Sequence, residues 1–258
     1  MKVTLDLNSS TQENAALYYE KGKKMKEKIE GTEKAIDDTK KELEKFEAVV
    51  EKAPRMKRKM QWYEKFHWFV SSDGFLVIGG RDADQNELLY SKYFEDADMF
   101  MHADVHGAPF VIVKNGSCAP EKTLEEAAQF AASYSSAWKD GVGAVGVYAA
   151  RKEQVSKHSQ GEYVPHGGFA IKGNRKWFKN IELKMYIGAT ESGIESIPAR
   201  CGKERFISYF EIKPGGVAKG DLSKRLFQLL SDKLTEKGIF EEDITRALPP
   251  GGGELVEG

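Results

Sequence analysis

His102, Asp104 and His106 fall at every second position of HADVHG, and a β-strand would present all three side chains on one face. Two imidazoles and a carboxylate suit zinc or iron, and a catalytic metal would keep one position open for water or substrate. That defines one reading, a metal-dependent enzyme acting on nucleic acid. The motif lacks a fourth ligand and an evident general base, and Gly107-Ala108-Pro109 bends the chain where the alignment must hold. The competing reading needs no metal and no cofactor: His102 and His106 hydrogen-bond within a tight turn, or contact RNA phosphate and ribose. Gly79-Gly80-Arg81 offers bare amides to an anion, without the spacing of a nucleotide-hydrolysing loop. Ser71-Ser72 has no recognisable triad partners. Arg81 with Asn86 is the pair best suited to recognition, although Arg81 can equally pair with Asp82 or Glu87.

Two basic segments add a different chemistry. Lys52, Arg55, Lys57, Arg58 and Lys59 surround Pro54, with Lys65 after them, and Trp62, Tyr63, Phe66, Trp68 and Phe69 follow. Such a run is either a solvated helix face or a set of phosphate contacts. Rings among cations can stack on unpaired bases, but they also pack where a helix docks on a sheet. Trp68 is assigned to the core, and Trp62 fits either role. From Arg151 to Lys184 eight Lys or Arg, including Lys172, Arg175 and Lys176, stand against three Glu. Net charge is only −1, so any nucleic-acid footprint must come from local clustering.

The elements that position these groups can be read from periodicity. Phe66 to Val70 and Phe75 to Ile78 are strands joined by Ser71-Ser72-Asp73-Gly74. Gly79-Gly80 ends the second strand where a side chain would be a liability, and Asp82 N-caps a helix through Tyr93. Met99 to Ala103 and Phe110 to Val113 flank the histidine corner. Thr123 caps a helix, Leu124 to Lys139. Val142 to Ala150 is a strand continued by Arg151 to Lys157. Further strands are Tyr163 to Ile171, Trp177 to Ile187 and Phe206 to Lys213. Helices follow at Asp221 to Glu236 and Glu241 to Arg246.

Ahead of these lies a heptad seam, Tyr18, Gly22, Met25, Ile29, Thr32, Ile36, Thr39, Leu43, Phe46 and Val50, on a helix opening at Thr11 with Ser9 and Ser10 as competing caps. About forty helical residues reach roughly 60 Å. Arg55 to Lys65 reads as a short return helix. The fold class is α+β: a mostly antiparallel sheet covered by helices, preceded by a long coiled-coil helical arm. The expected division is an arm over 1–65, an α+β domain over 66–248 and a flexible tail over 249–258. Cys118 and Cys201 lack metal-ligand spacing and read as buried free thiols. With no apolar run of membrane length and no signal-peptide core, the chain is expected to be cytoplasmic, with no membrane partner.

WFVSSDGFLVIGGRDADQNE followed by HADVHGAPFVIVKN resembles the signature of the NFACT-R domain, the C-terminal RNA-binding module of the ribosome-quality-control NFACT family, once described as fibronectin-binding proteins. LDLNSSTQENAALYYEKGKKMK resembles the start of that family's coiled-coil arm, and GGFAIKGNRKW its later glycine-rich strand. The family's N-terminal domain and helix-hairpin-helix have no counterpart, so an arm plus NFACT-R is expected. The resemblance implies a non-enzymatic module contacting tRNA and/or large-subunit rRNA on stalled large ribosomal subunits, in support of C-terminal tailing of nascent chains. Arg55, Lys57, Arg58, Lys59, Arg81, Asn86, His102, His106, Lys172, Arg175 and Lys176 are the candidate RNA contacts, and self-association through the coiled coil is a further partner reading. The old family name suggests a third function, a surface adhesin.

Overall fold

The computed structural model describes the backbone of residues 4–6, 10–52, 60–157, 164–234 and 240–256, and their side chains except at 42–52 and 231–234. The chain divides into two compact units, Met1–Pro54 and Arg55–Gly258. The first is built on helix α1, Thr11–Lys52. Ser10 is the cap: its hydroxyl accepts from the Glu13 amide, while the Glu13 carboxylate accepts from the Ser10 amide at 2.7 Å. These two bonds form a reciprocal capping box. Residues 4–6 lie against the helix, where the Tyr18 hydroxyl donates to Thr4 O and Asn14 brackets the Asp6 backbone. The seam residues Tyr18, Met25, Ile29 and Ile36 are exposed along this helix.

The second unit begins differently from expectation. Residues 55–59 of the anticipated return helix lie outside the described residues, and Gln61 to Lys65 form turns rather than a helix. Glu64 closes that turn on the Gln61 amide, and Phe66, fully buried, pulls the chain straight into the sheet. Strands β1 (His67–Val70), β2 (Leu76–Gly79), β3 (Met99–Ala103), β4 (Val111–Val113), β5 (Ala144–Arg151) and β8 (Lys176–Glu182) form an antiparallel sheet in the order β1-β2-β4-β3-β5-β8. Between β5 and β8 a two-stranded ribbon pairs β6 (Val155–Ser156) with β7 (Ala170–Ile171). A second sheet runs β10 (Ile194–Pro198), β9 (Met185–Ala189), β11 (Ser208–Val217) and β12 (Gly253–Leu255).

Neighbouring residues on the first sheet enter opposite cores, as strand alternation requires. Val77, Met101, Val111 and Ala149 face one core, and Ile78, Phe100, Ile112 and Ala150 the other. The first core holds α3 (Glu121–Ser133), whose alanines let it pack against β3, β5 and β8 and against β10 of the second sheet. The second core is covered by α2 (Ala83–Leu88) and the π-helical turn Leu89–Tyr93 that extends it. Asp82 caps α2 by accepting from the Gln85 amide, as its sequence position indicates. At Gly79 an added Cβ would meet the Phe130 ring at 3.1 Å, and at Gly80 it would meet Asn86 Oδ1 at 2.1 Å.

Several expectations are corrected. Thr123 is not a cap: α3 starts after Pro120, and the buried Thr123 hydroxyl bonds Ser71 Oγ and Asp73. The helix also stops at Ser133, and Ser135 caps a separate turn, α4 (Ser136–Lys139). Lys152–Gln154 is a 3-10 turn, and Pro165 to Gly168 is a turn closed by Gly168 N–H on Pro165 O. Trp177 to Ile187 is two strands in two sheets, because fully buried Leu183 donates its amide to Gly143 O and turns the chain. Cys201 is buried, but Cys118 is exposed.

The segment expected to be a flexible tail is also ordered up to Val256. β12 pairs with β11, and the Trp138 indole donates to Gly252 O at 2.8 Å. Helices α5 (Lys219–Leu234) and α6 (Glu241–Ala247) precede it. The C-terminal carbonyls of α6 each receive a donor: Arg246 O from Arg81, Ala247 O from Tyr134 and Leu248 O from Lys219. The Arg81 guanidinium also donates to Lys65 O and Phe66 O, joining the entry to β1 with the end of α6. Arg81→Ala removes three charge-assisted bonds at once and is expected to lower unfolding free energy in urea by about 2–4 kcal/mol. Arg81→Lys should recover only part of this, since donors on a single nitrogen do not reproduce the spread of the planar guanidinium fork; a wild-type urea midpoint in both variants would refute the clamp.

Candidate nucleic-acid interface

β8 is an outer strand of the six-stranded sheet, and its pairing fixes what the edge displays. His102 lies opposite Tyr148, and Tyr148 opposite Trp177, so one residue from each of three adjacent strands shares a face. Ring centroids are 5.6 Å apart for His102 and Tyr148 and 5.3 Å for Tyr148 and Trp177. Arg175 lays its guanidinium over the Tyr148 ring, 4.6 Å from the centroid. Trp177 is 45 % exposed. The register slips between Val145 and Val147, and Asn180 takes the left-handed conformation at φ 54°. This bulge turns both Phe178 and Ile181 inward and leaves Trp177, Lys179 and Asn180 outside.

The cations of 151–184 do not act as one patch. Lys152 pairs with Asp96, Lys157 with Glu87, Lys176 with Glu121, and Lys184 with Glu182 and Glu211. Arg151, Lys172, Arg175 and Lys179 have no ion-pair partner among the described residues. Three of these four lie on β8 or just before it.

The row ends inward at a cavity of about 460 Å³ between β3, the Gly80 to Asn86 segment and the Pro165 to Phe169 turn. Lys157 holds that turn in place by bonding both Glu87 and Gly168 O, with its ammonium 4.0 Å from the Phe169 ring centroid. Glu87 also accepts from the Gly167 amide, and His166 sits 2.8 Å from Asp84. Burial pushes the Glu87 carboxyl up, but Lys157, Gly167 and His166 together outweigh it and hold the group below the usual carboxylate range. Phe100, Tyr148, Phe169 and His102 contribute rings to its wall. Loss of water around His102 pushes its pKa down to about 4, against the opposing pull of the Ala103 and Ala108 backbone and Asp104. The ring is therefore neutral near pH 7.

A family model described as the NFACT protein RNA binding domain matches residues 65–173, and one for the NFACT N-terminal and middle domains matches residues 1–61. The chain belongs to the NFACT family. The archaeal Rqc2 homolog aRqcH of Methanocaldococcus jannaschii is 41% identical over 79% of this chain and 30% of its own length. The human ribosome quality control complex subunit NEMF is 38% identical over 95% of this chain and 25% of its own. Subunit 2 of that complex in Schizosaccharomyces pombe is 36% identical, covering 72% and 19%. This NFACT chain thus spans less than a third of the length of these relatives. The C-terminal part of the fibronectin/fibrinogen-binding protein from Streptococcus suis aligns at 20% identity over 67% of this chain and 77% of that one, with a TM-score of 0.40, and bears no further argument.

The fold gives the sequence-derived residues of this NFACT chain unequal roles. Arg81 does not pair with Asp82 or Glu87; three of its five N–H groups go to the Lys65, Phe66 and Arg246 carbonyls, and the residue also lines the cavity. Asn86 lines the cavity, and its side-chain oxygen is taken by the Phe110 amide. β3 ends at Ala103, so strand alternation does not carry His102, Asp104 and His106 onto one face. Among the described residues no three His, Cys, Asp or Glu side chains group to hold a metal. His102 and His106 both line the cavity, whereas Asp104 does not. Lys172 and Arg175 remain available, and Lys176 is engaged by Glu121. Arg55, Lys57, Arg58 and Lys59 lie outside the described residues. Trp62 stacks on Tyr93, centroids 4.6 Å apart, and stays 44 % exposed; Trp68 is half-buried against Tyr63. Sequence reading missed Tyr148, Trp177, Lys179 and His166 as neighbours of this site. Trp177 beside the polar Gly173 to Lys176 turn was the available signal.

Two half-buried imidazoles should make this NFACT fold acid-sensitive. His67 stacks on Tyr134 with centroids 4.0 Å apart; burial, reinforced by Arg81 and Lys219, pushes it well below its ordinary value. Both His67 and His102 are harder to protonate folded than unfolded, so their contribution is complete above pH 6.5 and is lost as pH falls below it, for His102 down to about 4. Each should cost on the order of 1 kcal/mol per pH unit across that window. His102→Phe keeps a ring against Phe100 and Tyr148 and should reduce the acid-side slope of unfolding free energy by up to one proton. Parallel slopes in variant and wild type would show that His102 titrates normally.

Proposed function

We propose that this chain is a non-catalytic RNA-binding module of a ribosome quality control factor, gripping exposed nucleotides along the β8 edge. The supporting observation is the aromatic row ending at Trp177, flanked by cations that no carboxylate among the described residues neutralises. Phosphate contacts from Lys172, Arg175 and Lys179 supply affinity, and stacking on Trp177 supplies preference for unpaired bases. The relatives named as ribosome quality control complex subunits support a stalled large subunit in the cytoplasm as the place of action. The RNA is then tRNA and/or large-subunit rRNA, and the module assists C-terminal tailing of nascent chains by holding RNA rather than by chemistry. Among the described residues no helix is long and apolar enough to cross a membrane. The exposed seam of α1 gives the arm a partner of its own, a second copy of this chain.

Anisotropy titrations of a labelled 20-nucleotide single-stranded RNA over a range of salt test this reading. Removing Lys172 and Arg175 together should flatten log K against log salt by about 0.7 per lost contact. Trp177→Ala should weaken binding by about 1–3 kcal/mol and leave the slope unchanged. Lys23 and Lys24 on α1 serve as controls. An equal loss from that pair and from Lys172 with Arg175 would mean diffuse charge attraction, and the β8 site would be abandoned.

A further inference from the structure

We infer that the cavity beside His102 receives one unstacked nucleobase from the RNA strand whose neighbouring base stacks on Trp177. This rests on the RNA-binding reading above and names where a second base goes. Its volume of about 460 Å³ lies in the range of pockets that enclose a small planar ligand. Phe100, Tyr148 and Phe169 supply flat apolar walls, and His102 adds an uncharged ring. The charged groups along the lining are of both signs and adjacent. Arg81 is oriented by three backbone carbonyls, Asp82 beside it caps α2, and His166 is paired with Asp84. The lining thus singles out neither an anion nor a cation, whereas an uncharged base can enter without a counter-charge. Two polar groups remain for its edge. The side-chain nitrogen of Asn86 and the His106 imidazole have no hydrogen-bond partner among the described residues.

The same row of rings connects the two positions. His102 and Tyr148 line the cavity, and Trp177 follows two strands away, roughly 10 Å at the inter-strand spacing. Arg175 lies over Tyr148 between them, where the phosphate linking the two nucleotides would pass. The cavity therefore selects a strand that can splay one base out of its stack, which a continuous duplex cannot do without unpairing.

The test uses the full chain and single-stranded RNA heptamers, each carrying one 2-aminopurine, scanned through every position. One position should change fluorescence on binding in a way that survives Trp177→Ala and is lost in His106→Trp, where a bulky ring stands at the mouth of the cavity. His106 is exposed, so this variant leaves the core intact, and an unchanged urea midpoint checks that. His106→Trp should also weaken heptamer binding about tenfold, within the range for one base–ring contact, with no change in salt slope. A heptamer abasic at the sensitive position gives the same reading without altering the protein. It should bind wild type about as weakly as the intact heptamer binds His106→Trp, with no further loss when both changes are combined. If heptamers bind, Trp177→Ala weakens them, and neither His106→Trp nor any abasic position outside the Trp177 contact matters, the base pocket is wrong and the β8 reading stands. If wild type binds none of the heptamers, both fall.

Discussion

The Arg81 guanidinium is the point on which the rest of the second unit depends. It closes a three-way junction from carbonyls at Lys65, Phe66 and Arg246, one before β1, one at its threshold and one at the end of α6. A helix terminus leaves its last carbonyls without partners, and burying them unsatisfied is costly. Here Tyr134 and Lys219 complete what Arg81 begins, so the end of α6 is sealed by three donors from three other segments. His67 lies against the same cluster and is kept neutral first by its loss of water and then by the charges of Arg81 and Lys219. The entry to β1 is thereby tied to the end of α6, segments nearly the whole length of the unit apart in sequence.

Local signals in the sequence identified the elements whose causes are local. The hairpin of β1 and β2 follows from alternation and the Ser71 to Gly74 loop. The start of α1 follows from Ser10 and Glu13, and that of α2 from Asp82. Long-range causes were invisible. The partners of Arg81 are backbone carbonyls 15, 16 and 165 residues away, and a carbonyl leaves no trace in residue type. The glycines near the C-terminus read as disorder by composition. Yet an added Cβ at Gly252 would sit 2.6 Å from Gly215 O and 2.7 Å from Val217 O, so glycine is there to let two backbones meet.

The candidate site was legible in the same uneven way. Composition revealed the excess of Lys and Arg in 151–184 but not that four of those cations pair with carboxylates from other elements. Only strand pairing shows that His102, Tyr148 and Trp177, far apart in sequence, form one row. The histidine motif was legible in the sequence, but its arrangement was not. Its two imidazoles wall a cavity, while its carboxylate lies off that wall, because β3 ends at Ala103, three residues short of His106.

An edge strand also presents unpaired backbone groups, which invite another chain to add itself to the sheet. β8 counters this with the bulge at Asn180, which breaks the straight run of hydrogen-bonding positions, and with lysines that a docking strand would have to desolvate. The charges assigned to RNA thus have a second duty that operates when no RNA is present: they keep copies of the protein from joining edge to edge. Exchange of Lys179 for a neutral residue would act on solubility as well as on the proposed binding. A lineage that weakened its grip on RNA through these positions would have had to blunt the edge by other means, such as a proline or a deeper bulge.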